Sequence, residues 1–354
     1  MTNNLGYENL KELDEIKITI IVDNEVDPLS SSNSNIGNIT TEINRDLLNK
    51  KESLDIVNYC CGAHGYSVLI TGTCNGESHS VLFDAGPYGK IFMDNSRKLG
   101  IDYSKIETVV LSHWHCDHSD GLPSAIEAIS KARRDHHSLK VIVDLPKDRP
   151  SRRGIRLPKS DDVMIINNPT FEELEKAGGE IIKSDESHMI CSNFFYVSEN
   201  IFRHTKYETG ITNHVSYDES LLTWKDDPLI MEERFLVSRI KNKGLIVITG
   251  CGHAGIVNTL LQAQNPIFDK QEKYPIYLVM GGFHLAGFEQ ESKINETVRD
   301  LKSLINPAFL APGHCSGWRC RAALEFQLHE GETTFAGRVS PTAVGKIYHI
   351  FSEK

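Results

Sequence analysis

Residues 106–118 read IETVVLSHWHCDH. The β-branched run up to Leu111 predicts a strand, and it runs straight into His113, His115, Asp117 and His118. In extended backbone an HxH pair sends both imidazoles to the same side, because strand side chains alternate with period two. The turn that follows can bring Asp117 and His118 beside them. Histidine nitrogen and aspartate oxygen are the donors zinc favours, and catalytic zinc sites keep one position open. Two ligand pairs in one short loop predict two metal ions a few ångströms apart, one on His113 and His115, the other on Asp117 and His118. Trp114, between the first two, is expected to point away into packing.

Further along the chain the same pattern returns: short apolar strand, histidine-bearing turn, often a helix. LIVIT (245–249) leads into GCGHAG with His253 and a helix over 256–264. IYLVM (276–280) leads into GGFHLAG with His284. AFLA (308–311) leads into PGHCSG with His314 and a helix over 318–329. Upstream lie candidate strands at 17–23, 66–71 and 80–84 and a helix over 89–99 that ends at Gly100. Pro123 opens a helix over 123–134. Strands alternating with helices predict an α/β architecture. Ligands of open α/β sheets bind beyond the carboxyl ends of strands, so the histidine-bearing ends are expected to converge at one edge.

The middle, 145–235, reads differently, as loops and short elements covering one end of the sheet. It includes a basic loop at 147–159, a helix at 171–177 and a strand at 194–198. Residues 29–38 are polar and low in complexity and read as a mobile loop. No linker separates two units, so a single domain over 1–354 with a covering insertion at about 145–235 is expected.

Composition narrows the class. The chain has 354 residues, 40% hydrophobic, with a net charge of −10. That charge disfavours a broad nucleic-acid face, which rests on neutralising phosphates. No apolar run approaches the ~18 residues of a membrane span. Eight cysteines without a CxxC pair are too sparse for a disulfide scaffold. The polar, acidic start lacks the marks of a signal or transit peptide. A cytoplasmic protein acting on a small molecule, with no membrane partner and the oligomeric state open, is expected.

The HxHxDH motif is that of the metallo-β-lactamase superfamily, which the chain resembles. The stretch VLFDAGPYGKIFMDNSRKLGIDYSKIETVVLSHWHCDHSDGL, then TGCGHAG, GGFHL and PGHCSGW, is similar to one branch, the dihydropterin-ribofuranosylaminobenzene phosphate synthase-like metal-dependent hydrolases. The resemblance implies an αββα metallo-β-lactamase-like sandwich with a dinuclear centre at its edge. It implies His113, His115, Asp117, His118, His253 and His314 as metal ligands. Cys251 stands where many members carry a bridging aspartate, and is either a soft ligand or a spectator. Asp84, in LFDAG, matches a position that orients a ligating imidazole. His64 matches a family EHG segment, with Ala63 in place of the glutamate. Arg203, Thr205 and Glu208 match a further segment in which Asn200 and Phe202 depart from the pattern.

The expected function is a metal-dependent hydrolase. Two divalent ions, zinc with iron or manganese as alternatives, would furnish a metal-bound hydroxide. It would attack an ester, lactone or phosphoester of a small anionic molecule. Asp117 would ligate and orient, and His284, at an ordinary pKa, would protonate the leaving group unless it is a ligand. Arg203 and Arg319 are candidates for binding substrate, with Arg152, Arg153 and Arg156 of the basic loop behind them. Backbone N–H groups of the GCGHAG turn are candidates for an oxyanion. One alternative is a synthase-type condensation of a dihydropterin with a ribosyl-phosphate aminobenzoate analogue. Another is a metal- or ligand-binding protein without turnover. His188, His204 and His214 read as surface or pocket lining.

Overall fold

Alternation along the strands sorts the apolar side chains into layers. Val81 and Phe83 face one way and Leu82 the other; Ile246 and Ile248 oppose Val247; Leu278 and Met280 oppose Val279. Each of these strands is therefore buried on both faces, as its near-continuous apolar sequence requires. The structure, a computed structural model, describes residues 6–30, 35–41, 59–266, 273–328, 337–340 and 342–353.

Among the described residues, one sheet has eight strands, in the order Glu180–Ser184, Ile142–Pro146, Ile106–Val110, Glu77–Phe83, Ser67–Cys74, Glu15–Val22, Lys346–Phe351 and Asn38–Thr41. The second runs His188–Ile190, Phe195–Val197, Leu236–Ile240, Gly244–Ile248, Ile276–Gly282 and Phe309–Gly313, with Glu12–Leu13 also paired to Leu236–Ile240. The two sheets pack face to face. Ile16, Ile18, Val68 and Phe83 of the first meet Leu236, Ile246, Leu278 and Met280 of the second. Helices Gly89–Lys98 and Leu122–Asp135 cover the outside of the first sheet through Phe92, Leu122, Ile126 and Ile129. Helices Ile256–Gln264, Ile294–Asp300 and Trp318–Leu328 cover the second through Val257, Leu260, Val298 and Leu324. The result is the αββα order.

Local signals explain several boundaries. Pro123 lies in the first turn of its helix, where a missing N–H costs nothing. Gly100 follows the helix end with φ +65°, a left-handed conformation that favours glycine. Strands at Ile142–Pro146, Leu236–Ile240 and Lys346–Phe351 were not expected from sequence.

The stretch 145–235 contributes to all three sheets rather than only covering one end. Glu180–Ser184 edges the first sheet, and His188–Ile190 and Phe195–Val197 edge the second. Only Arg153–Arg156, Val163–Ile166, His214–Asp218 and Thr223–Asp226 form a separate, antiparallel third sheet. Of the polar stretch 29–38, residues 31–34 lie outside the described residues, and Asn38 begins a strand. No helix among the described residues is long and apolar enough to cross a membrane.

Candidate metal centre

The strand Ile106–Val110 of the first sheet and the strands Gly244–Ile248, Ile276–Gly282 and Phe309–Gly313 of the second deliver their histidines to one edge of the sandwich. In the first half of the cluster, His253 Nε2 lies 3.2 Å from His113 Nε2 and 3.0 Å from His115 Nδ1. In the second half, His314 Nε2 lies 3.1 Å from Asp117 Oδ2 and 3.2 Å from His118 Nε2. Cys251 Sγ is 3.1 Å from His118 Nε2 and 3.2 Å from His314 Nε2. Two donor groups suited to a metal ion result, Asp117/His118/Cys251/His314 and His113/Cys251/His253, and Cys251 belongs to both.

These donors fit a divalent cation. Nitrogens 2.0–2.1 Å from a tetrahedral zinc lie about 3.3 Å apart, close to the spacings here. Where neither ring carries its proton on the facing nitrogen, the Nε2 lone pairs 3.2 Å apart are free to ligate.

Buried carboxylates hold the cluster in place. Asp84 accepts from the Ser112 amide at 2.7 Å, the Ser112 hydroxyl at 2.8 Å and His118 Nδ1 at 2.6 Å. It thereby turns His118 Nε2 toward the cluster. Glu233 accepts from the backbone amides of Gly252 (2.9 Å), His253 (2.9 Å) and Ala254 (2.6 Å), fixing the GCGHAG turn. Glu208 takes the next amides, Val257 at 2.9 Å and Asn258 at 2.8 Å. The N–H groups expected to hold an oxyanion are thus satisfied by the protein's own carboxylates, which suit a helix N-terminus for the same electrostatic reason. His314 donates from its amide to Asp23 at 3.1 Å, and its Nδ1 meets Asn24 Oδ1 at 3.1 Å. Asp84, His284 and His314 all have φ between +46° and +57°. Such left-handed backbone is costly for these residues and persists where the surroundings over-determine it.

Electrostatics divide the halves. Burial first, then neighbouring imidazoles, with Arg153 adding at His113 and His115, holds His113, His115 and His253 well below the usual histidine range, so their rings are neutral. Burial opposes charge on His118 too, but Asp117 and Asp84 outweigh it and its pKa is raised. Burial opposes charge on the half-buried Asp117, yet His118 and His314 hold its carboxyl well below the ordinary value; burial lowers the pKa of His314 itself.

No family model matches the chain. Two proteins of Methanocaldococcus jannaschii are similar in sequence. The 7,8-dihydropterin-6-methyl-4-(beta-D-ribofuranosyl)-aminobenzene-5'-phosphate synthase is 25% identical over 283 residues, covering 78% of this chain and 89% of that protein. The uncharacterized protein MJ0448 is 30% identical over 267 residues, covering 74% and 87%. In fold, the crystal structure of Tm1679, a metal-dependent hydrolase of the β-lactamase superfamily, matches with a TM-score of 0.63 at 20% identity, covering 95% of this chain and 100% of that one. The chain has the metallo-β-lactamase fold.

The superfamily motif residues His113, His115, Asp117 and His118 all lie in the cluster, with His253, His314 and Cys251. His64 stands at its rim, Nε2 3.6 Å from Asp117 Oδ2. Trp114 turns away, packing edge-on against Phe171 with centroids 5.6 Å apart and donating Nε1–H to the Pro146 carbonyl at 3.2 Å. His284 sits over His253, ring centroids 4.3 Å apart, beside a recess lined also by Glu208, Gln290 and Lys293. Its pKa is not ordinary: burial pushes it down to about 4. At neutral pH the ring is uncharged and holds no surplus proton for a leaving group.

The arginines are mostly spent within the protein. Arg203 bonds to the carbonyls of Ile201 and Leu229. Arg319 is exposed, 3.3 Å from Glu291 and 4.5 Å from the Trp318 ring centroid. Arg153 is buried in a two-pronged pair with Glu232 at 2.5 and 2.8 Å. Arg156 pairs with Asp226 at 3.2 Å, and Arg152 stacks 3.9 Å from the Tyr217 ring centroid.

Sequence reasoning missed Glu232, Glu233 and the role of His214. His214 is buried, and its Nε2 lies 3.0 Å from His115 Nε2. Only the paired glutamates ahead of a strand in MEERFLVS (231–238) hinted at anything.

Proposed function

We propose that this chain is a metal-dependent hydrolase that holds two divalent cations, zinc first among the candidates. His113, His115 and His253 would hold one, and Asp117, His118 and His314 the other, with Cys251 shared between them. The observation that carries this reading is the pair of donor groups meeting at Cys251. Such ions, when bound, act as Lewis acids and lower the pKa of water toward neutrality.

The chain's own residues supply the rest. Asp117, ionised beside His118 and His314, accepts a hydrogen bond and orients a nucleophile at the open side of the cluster. Asp84 keeps His118 in one tautomer by accepting a hydrogen bond from its Nδ1–H. His284, neutral and half-exposed beside the recess, binds a substrate group by hydrogen bonding. An ester, lactone or phosphoester of a small anionic molecule suits this arrangement, and a cytoplasmic setting goes with it.

A synthase-type condensation is the second reading, favoured by the likeness to the Methanocaldococcus jannaschii synthase. The same cluster would then bind the anionic centre of a dihydropterin or its ribosyl-phosphate aminobenzoate partner.

The test is turnover by protein reconstituted with zinc or manganese. The substrates are bis-p-nitrophenyl phosphate, a lactone and a thioester, with the dihydropterin pair run in parallel. The hydrolase reading expects release of product from at least one hydrolysable probe. It also expects a loss of more than about 100-fold in Asp117→Asn, which keeps the shape but removes the anionic charge. Turnover confined to the dihydropterin pair supports the second reading. Hydrolysis that survives Asp117→Asn at near-normal rate overturns the first.

A further inference from the structure

We infer that His214 is a positioning residue that fixes which nitrogen of His115 faces the metal. The inference rests on the reading above that His115 is a ligand.

Each nitrogen of His115 has one neighbour. Nδ1 lies 3.0 Å from His253 Nε2, inside the cluster. Nε2 lies 3.0 Å from His214 Nε2, outside it. His214 Nδ1 lies 2.7 Å from the Asp227 carbonyl oxygen. A carbonyl only accepts, so Nδ1 of His214 carries a proton. In a neutral imidazole the other nitrogen is then bare. The bare Nε2 of His214 can only accept, so His115 must donate from its own Nε2. Neutral His115 therefore presents a lone pair at Nδ1, toward His113 and His253. One backbone carbonyl thus sets the tautomer of two rings in series. This is the way a group behind a ligand fixes its orientation.

The same sheet grips the loop a second way. His214 opens the strand His214–Asp218, which pairs with Arg153–Arg156 so that Ser216 lies opposite Arg153. Arg153 Nη1 donates to the Trp114 carbonyl at 2.9 Å, and Glu232 accepts from the Trp114 amide at 3.3 Å. Both peptide groups between His113 and His115 are held by this arginine–glutamate pair. The third sheet therefore fixes the backbone between two ligands and the ring of one of them. His214 itself belongs to neither metal-binding group, so it acts through His115.

The experiment uses full-length protein reconstituted with cobalt(II). The readouts are its paramagnetically shifted, solvent-exchangeable imidazole resonances and the affinity of each half for the ion. The His115 N–H resonance is assigned by its loss in His115→Gln. In His214→Leu this resonance should exchange away, and first-half affinity should fall about 10- to 100-fold, with the second half unchanged. His214→Gln, which offers an acceptor oxygen at similar reach, should restore both. His214→Asn, too short to reach, should not. If His214→Leu does not fold, the Gln and Asn pair carries the comparison alone. An unaltered His115 resonance and affinity in the folded Leu or Asn variant overturns the inference while leaving the metal reading intact. Absence of cobalt binding in the unmutated protein overturns both.

Discussion

His113, His115 and His253 make a half of the cluster that is all imidazole and held neutral by burial. Asp117, His118 and His314 make a half that carries a carboxylate, with a second carboxylate, Asp84, directly behind it. Their supports also come from different places. The second half leans on residues of the first sheet and the loops that follow its strands, Asp84, Asp23 and Asn24. The first leans on Glu233 and on the third sheet through His214 and Arg153, and touches the second half's support only where the Ser112 hydroxyl links His113 Nδ1 to Asp84. A charge-bearing half built on the sandwich itself should retain its ion more firmly than a neutral half braced by an insertion. Stepwise chelation is then expected to empty the imidazole half first.

The largest effect is expected at Glu233. Glu233→Ala leaves the amides of Gly252, His253 and Ala254 without their acceptor. Each stranded buried donor costs about 1–3 kcal/mol, so urea denaturation should show a loss of at least about 3 kcal/mol. The first-half ion should become the more easily chelated. A loss under about 1 kcal/mol would mean that the turn is held by something else.

An intermediate effect is expected at Asp84. Asp84→Asn keeps the size but makes one acceptor oxygen a donor facing Ser112 or His118. Metal titration should show second-half affinity lowered about 10- to 100-fold, and the first half, which Asp84 reaches only through the Ser112 hydroxyl 2.8 Å from His113 Nδ1, weakened less. Equal weakening of both halves would erase the distinction drawn between them.

What the sequence made legible follows from distance along the chain. His113, His115, Asp117 and His118 are contiguous, and strand periodicity alone places them together. His253, His284 and His314 each follow an apolar run, so their arrival at one edge follows from the α/β pattern. Asp84 was legible only through the family motif. The roles of Glu233, Arg153 and His214 were not legible, since Arg153 read as a basic-loop residue for substrate and His214 as surface or pocket lining. Their partners lie 20, 39 and 99 residues away in turns and loops, brought close by tertiary contacts that no local pattern specifies. The strand Lys346–Phe351 escaped for the same reason, since it inserts between Glu15–Val22 and Asn38–Thr41 at the other end of the chain.

The smallest effect lies outside both halves and serves as their control. His188 Nε2 sits 2.5 Å from Asp144, an imidazole–carboxylate pair like His118–Asp84 but part of neither donor group. Burial opposes the charge on His188, but Asp144 outweighs it and raises its pKa above the ordinary 6.5. A raised histidine stabilises the fold fully below about pH 6.5. That contribution is lost as pH rises through the folded-state value. Unfolding free energy measured from pH 5.5 to 8.5 should carry this decline, and His188→Gln should flatten it without changing metal content. An unchanged slope in the variant would show that the pair contributes nothing.

The central claim is that the edge of the sandwich holds two ions, one in each half. Elemental analysis of protein stripped of metal, reconstituted with zinc and freed of excess tests it most directly. The account predicts two zinc ions per chain, and about one in His115→Ala, which removes a donor from the imidazole half alone. One equivalent or fewer in the unmutated protein would contradict it.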